Sequence, residues 1–192
     1  MSLSQQAPIL ELNRDILWEI FGRSDSLNEI RRLSHVCWKW REILLESSTL
    51  WARNVDLDAL DQKSDCWRNL VLERTGKAML CVTGRGLVLS SKTPLFDFVA
   101  DVLDKHWTRI RVLKIDMNLV DSDHERIRQA FDRPAANLQI FSYVSGTLGR
   151  AVLPQNLMPN FQLCTDTRRP SWSYMSLLFS RSISPLQHQH FS

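Results

Sequence analysis

No stretch of these 192 residues approaches the roughly 18 consecutive apolar residues of a membrane-spanning helix. The opening MSLSQQAPILEL lacks the basic start and apolar core of a secretory leader. Cysteine is scarce: Cys37, Cys66, Cys81 and Cys164 are scattered with no CxxC spacing, and no Asn-x-Ser/Thr sequon occurs. Both absences fit a reducing compartment, so the expectation is cytoplasm or nucleus, with no membrane partner. Charge of one sign is also lacking. A net charge of +3 with no basic run gives composition no reason to favour nucleic acid.

Catalytic constellations are equally thin. There is no G-x-S-x-G, no H-E-x-x-H and no defensible Cys/His pairing. Thr75-Gly76-Lys77-Ala78 has the look of a phosphate-loop ending, but Val71 stands for its leading glycine and Ala78 for its magnesium-binding hydroxyl. Gly84-Arg85-Gly86 reads as a turn before it reads as an anion nest. His35, His106 and His124 have no cysteine or carboxylate at metal-ligand spacing, and His188-Gln189-His190 reads as a solvated tail. Cys37 lies on an apolar face, where a packed thiol is the plainer reading than a nucleophile. The expectation is a non-enzyme with no catalytic residues, no cofactor and no metal.

What the chain does have is a globular balance, 44% hydrophobic and 23% charged, and seven tryptophans. Its length suits one domain, or a small module plus a modest second part. Trp18, Trp38, Trp40 and Trp51 crowd into one short segment. There, Ile16, Leu17, Ile20 and Phe21 form a stripe at helical spacing, with Asn13 to cap the start and Gly22 to stop it. Trp18 falls off that stripe. Ser26-Leu27-Asn28-Glu29 is a capping box. Beyond it Leu27, Ile30, Leu33, Val36, Cys37, Trp40, Ile43 and Leu44 recur every three or four residues, and Leu50-Trp51 closes the segment. Periodicity alone permits one long helix here. A unit of this size without disulfide or metal seldom closes its own core, so the rest of the chain or another protein must cover the apolar surplus.

Leu12, Asp15, Ile16, Leu17, Ile20 and Phe21, then Leu33, then Val36-Cys37-x-x-Trp40-Arg41, then Leu50-Trp51, resemble the F-box in order and spacing. Asn13 stands where that family usually has proline, and Trp38 where it usually has a basic residue. The resemblance implies a three-helix module over residues 9–55, with the long run broken near Ser34. It implies binding to a small Skp adaptor, and through it to a cullin, by Leu12, Ile16, Leu17, Ile20, Phe21, Val36, Cys37, Trp40, Leu50 and Trp51. Trp18 and Trp38 are expected on the opposite sides of their helices.

After Trp51 the texture changes. Asp56–Asp61 is an acidic connector, Trp67–Arg74 reads as a helix ending at Gly76, and Ala78–Thr83 has strand character. Thr93-Pro94 opens a helix to Lys105 carrying Leu95, Phe98, Val99, Val102 and Leu103 on one side. Ile110, Leu113, Ile115 and Asn118 fit the leucine-rich-repeat pattern; a capping box at Ser122–Glu125 opens a further helix to about Phe131. Ala136–Tyr143 and Pro159–Cys164 echo one another. Aligning Ile110, Leu138 and Phe161 gives periods of 28 and 23. An independent small α/β layer explains the same alternation. Arg109, Arg111, Lys114, Arg126 and Arg128 are interleaved with acids, which reads as a mixed solvated surface.

The fold expectation is therefore α+β: a disordered tail over residues 1–8, the F-box at 9–55, a connector at 56–92, a short leucine-rich-repeat-like solenoid at 93–165 and a poorly ordered tail at 166–192. No polar capping repeat follows, so truncation of the solenoid stays open. The chain resembles the short, divergent F-box proteins with such repeats that abound in fungi. That resemblance implies a substrate-recognition subunit of a Skp-cullin-F-box ubiquitin ligase, its repeat region holding an unknown protein target. A non-ligase scaffold and a nucleic-acid-binding helical protein are the alternatives.

Overall fold

The computed structural model describes residues 12–61, 64–90, 92–119, 124–145, 162–164 and 177–180. The expected tail at 1–8 lies outside these residues, as does that at 166–192 apart from 177–180.

Four helices open the chain: α1 (Arg14–Phe21), α2 (Leu27–Leu33), α3 (Trp38–Glu46) and α4 (Ser48–Arg53). The Asn13 side chain accepts from the Asp15 N–H and the Ser26 hydroxyl from the Asn28 N–H, so both predicted caps form. The long apolar run is indeed broken: α2 ends at Leu33 and α3 begins at Trp38. Ser47 separates α3 from α4, its hydroxyl donating back to the Ile43 carbonyl.

Next come β1 (Val55–Asp56), α5 (Leu57–Leu60), α6 (Asp65–Arg74), β2 (Leu80–Leu89), α7 (Pro94–Lys105), a 3-10 turn (Trp107–Arg109), β3 (Ile110–Leu119), α8 (His124–Phe131), β4 (Ile140–Ser145), β5 (Gln162–Cys164) and β6 (Leu177–Ser180). They build one six-stranded sheet of order β1-β2-β3-β4-β6-β5. The first four strands are parallel neighbours in chain order. At the far edge the direction reverses: β6 runs antiparallel to β4, and β5 antiparallel to β6.

Three expectations change. The connector at 56–92 contains α5, α6 and β2, and β2 lies inside the sheet between β1 and β3. Leu177–Ser180, placed in the poorly ordered tail, pairs with β4. The unit expected around Phe161, itself outside the described residues, does not extend the parallel pairing: β5 lies beyond β6 and pairs antiparallel with it. The earlier repeat alignment has a physical counterpart, however. Val112 pairs with Ile140 and Leu113 with Phe141, the 28-residue offset that aligned Ile110 with Leu138.

One face of the parallel strands is apolar. Leu80, Val82, Leu113, Ile115, Met117, Phe141 and Tyr143 are buried, as are Leu95, Val99, Val102 and Leu103 of α7 and Ile127 and Phe131 of α8. Phe131 packs edge-on against Phe141 and Tyr143, at 5.6 and 5.3 Å between centroids. These side chains join the buried residues of α1–α4 in one continuous core. The apolar surplus of the N-terminal helices is thus covered largely by the chain itself.

β2 is bulged. Its register on β3 shifts between Gly84 and Leu87. A Cβ on Gly84 would lie 3.2 Å from Leu57 Cβ, so glycine lets α5 lie close on the strand. Gly86, at φ +63°, takes the left-handed backbone that the bulge needs. Gly84-Arg85-Gly86 is therefore a strand bulge, neither the turn expected nor a nest.

Candidate functional site

The N-terminal helices present two apolar surfaces, one closed and one open. Leu17 and Phe21 of α1, Trp40, Ile43 and Leu44 of α3, and Leu50 and Trp51 of α4 are all buried. Phe21 meets Trp40 edge to face at 5.1 Å. Trp51 donates its indole N–H to the Leu44 carbonyl at 2.8 Å and meets Trp67 of α6 at 6.3 Å, tying the module to the next layer.

Outside this core, Ile16 is 50% exposed, Ile20 43%, Val36 58% and Trp38 76%. Ile16 and Ile20 lie one turn apart on α1, while Val36 and Trp38 flank the start of α3. Lys39 donates to the Leu12 carbonyl at 2.8 Å, which brings the start of α3 to the same end of the module as the start of α1. Large apolar side chains left this exposed are the kind of group that marks a protein contact.

The ten expected contact residues therefore separate. Leu17, Phe21, Trp40, Leu50 and Trp51 are closed within the chain, where they build the module. Ile16, Ile20 and Val36 are open, and Leu12 and Cys37 are half-buried against the core. Trp18, expected to face away, is half-buried and packed on the core. Trp38 is outside, as expected. Periodicity reported the apolar stripe correctly, but its breadth hid where the core ends.

The sheet holds a second feature. On the face away from α7 and α8, Asp56, Thr83, Lys114 and Ser142 occupy one row across β1–β4. This row floors a cavity of ≈ 550 Å³ that reaches Asp25, in the α1–α2 loop, and Asp58, Arg85 and Asp116. Asp56 caps α5 by accepting from the Asp58 N–H at 3.1 Å, and Asp58 accepts from the Arg85 N–H at 2.9 Å. Burial, reinforced by the neighbouring Asp58 charge, pushes the Asp56 carboxyl above its ordinary value, against the pull of its backbone hydrogen bonds. Sequence reading missed this site because its residues come from five separate elements and the α1–α2 loop. Only the acid-rich Asp56–Asp61 run hinted at it.

The basic residues weighed for nucleic acid are dispersed. Arg109 turns inward to the Thr75 and Ala78 carbonyls. Arg126 pairs with Asp97 and Asp101. Lys114 lies in the mixed-charge cavity, and the Arg128 side chain lies outside the described residues. Among the described residues no group of three or more His, Cys, Asp or Glu is placed to hold a metal, and no helix is long and apolar enough to cross a membrane. Arg68, not singled out from the sequence, is buried and ties α6 to α5 by donating to the Leu60 carbonyl at 3.1 Å.

No curated protein and no solved structure matches this chain. The F-box-like family model matches residues 14–56, which is α1 through β1. That segment contains the core and all four exposed apolar residues just described. Residues 14–56 of this chain are an F-box-like domain.

Proposed function

We propose that this chain is the substrate-recognition subunit of a Skp-cullin-F-box ubiquitin ligase. Its α1–α4 module docks on the Skp adaptor, and its sheet-bearing part holds a protein target. The observation that carries the reading is the open surface of Ile16, Ile20, Val36 and Trp38 on an F-box-like domain whose own core is already filled. Half-exposed aliphatics and a bare indole gain by burial on a partner. The chain supplies no chemistry of its own in this reading; tethering raises the effective concentration of a target lysine near the ubiquitin-charged partner. The strand-helix-strand units from α7 to β4 are degenerate leucine-rich repeats, a reading supported by the agreement of strand register with sequence period. Cytoplasm and nucleus are the compartments it fits.

Coexpression with a Skp adaptor and a cullin tests this. The expected result is a stoichiometric complex of all three chains. A complex with the adaptor that excludes the cullin would make the chain a scaffold outside the ligase. No complex with any Skp adaptor would overturn the docking itself.

A further inference from the structure

The cavity on the open sheet face is built from parts that have no need to be together. Parallel sheets are ordinarily covered on both faces. Here one face carries the helices, while the other presents the row Asp56, Thr83, Lys114 and Ser142 beneath ≈ 550 Å³ of open space. Four carboxylates, Asp25, Asp56, Asp58 and Asp116, line it against two cations, Arg85 and Lys114. The excess is acidic in a chain whose net charge is +3. None of the four carboxylates forms an ion pair among the described residues, whereas acids elsewhere do: Asp97 and Asp101 hold Arg126, and Asp65 holds Arg68. Asp56 and Asp58 spend one oxygen each on backbone N–H groups. Among the described residues Asp25 and Asp116 have no structural bond of this kind. The cavity also joins the two parts of the chain, since Asp25 belongs to the F-box-like domain and Asp116 and Ser142 to the sheet.

We infer that this cavity is the target-binding site and that it takes an extended peptide segment bearing lysine or arginine. The carboxylates receive the cationic side chains. Thr83 and Ser142 offer hydroxyls to the peptide backbone, and Lys114 and Arg85 reject segments rich in acid. A segment held here lies against the α1–α2 loop, so the target is presented beside the surface assigned to the adaptor. This rests on the ligase-adaptor reading for its biological sense, but the peptide contact is measurable independently of the adaptor.

The test uses the full chain, copurified with its adaptor if it forms that complex. The probes are three fluorescein-labelled peptides of equal length on one Gly/Ser frame, carrying three arginines, three glutamates or neither. Asp25→Asn, Asp56→Asn and Asp116→Asn are combined in one variant; asparagine at 56 keeps the acceptor that caps α5. Anisotropy at low salt, where exposed charge is least screened, is expected to show selective binding of the arginine peptide. The triple variant should bind it about tenfold more weakly, three exposed charge pairs having been lost. Adaptor copurification and thermal midpoint should stay unchanged in the variant. Binding of the arginine peptide that is absent, equal in the triple variant, or matched by the glutamate peptide would overturn the assignment. Loss of adaptor binding by the unmutated chain would instead strike at the ligase reading and leave the peptide site standing.

Discussion

The ring of Phe21 meets the indole of Trp40 edge to face, with centroids 5.1 Å apart and planes at 72°. That contact joins α1 to α3 inside the module and fixes which side of α1 is the inside. Ile16 and Ile20, on the same sequence stripe, are left at the surface. Truncating the two kinds of residue should therefore have separate consequences. Phe21→Ala opens a cavity under Trp40 and should cost about 3–5 kcal/mol, while Ile16→Ala should cost under about 0.5 kcal/mol. Urea unfolding of both variants measures the difference. Equal losses would mean that α1 does not sit as described.

The outer surface makes the complementary prediction. Ile16→Asp combined with Ile20→Asp should leave the unfolding midpoint close to that of the unmutated chain. It should weaken adaptor binding at least about tenfold, since two charges would replace apolar side chains at the contact. Trp38→Ala should weaken it too, because its exposed indole is the largest apolar group on that surface. Copurification at controlled adaptor concentration, with circular dichroism of each variant, reads this out. Unchanged binding by the Asp/Asp variant would remove the surface from the docking assignment.

Two buried tryptophans differ in one polar atom. The Trp51 indole N–H donates to Leu44 O at 2.8 Å. The Trp40 indole N–H is buried with no hydrogen-bond acceptor among the described residues. Replacing each with phenylalanine removes comparable ring area, but only at position 51 does it also remove a hydrogen bond. At position 40 it relieves a buried donor left unsatisfied. Trp51→Phe should therefore be the more destabilising, by about 1–3 kcal/mol. Denaturant midpoints for the pair decide it, and the reverse order would refute the argument.

Much of this architecture was legible in the residues. Asn13 and Ser26 announced two helix starts, Thr93-Pro94 a third, and the spacing of Ile110 against Leu138 gave the register of β3 on β4. What stayed hidden has physical causes. A stripe of Ile16, Leu17, Ile20 and Phe21 establishes an amphipathic helix, but an exposed isoleucine and a buried leucine count alike in any periodicity. For that reason the reading did not separate Leu17, Phe21, Trp40, Leu50 and Trp51, which the chain itself buries, from the residues left open. β2 was cut short in the reading because Gly84 and Gly86 look like a turn, whereas the strand continues through them as a bulge. Leu177–Ser180 is too short to show a period, and its antiparallel pairing depends on β4, far away in sequence. The cavity draws on β1–β4, α5 and a distant loop, a gathering that only topology performs.

Acid should weaken the fold through His106, which sits between α7 and the 3-10 turn. Burial holds its pKa below the ordinary 6.5, and the charges of Arg109 and Lys105 act the same way against an opposing pull from Asp101. Its Nδ1 lies 3.2 Å from an Arg109 Nη, so neutral His106 accepts from a guanidinium that also donates to the Ala78 and Thr75 carbonyls. Protonation would replace that acceptor with a second cation. With the folded pKa below the unfolded one, the unfolded chain binds the proton more readily at pH values between the two. The stability contributed by neutral His106 is therefore full above about pH 6.5 and declines as pH falls from there toward the folded pKa. His106→Gln keeps an acceptor for Arg109 and removes the titration. Thermal midpoints measured from pH 8 downward should run parallel for the two proteins until about pH 6.5, after which the unmutated chain should lose stability faster. Curves that stay parallel through the whole acid range would show that His106 charges freely in the fold, and the Arg109–His106 contact would lose its assigned role.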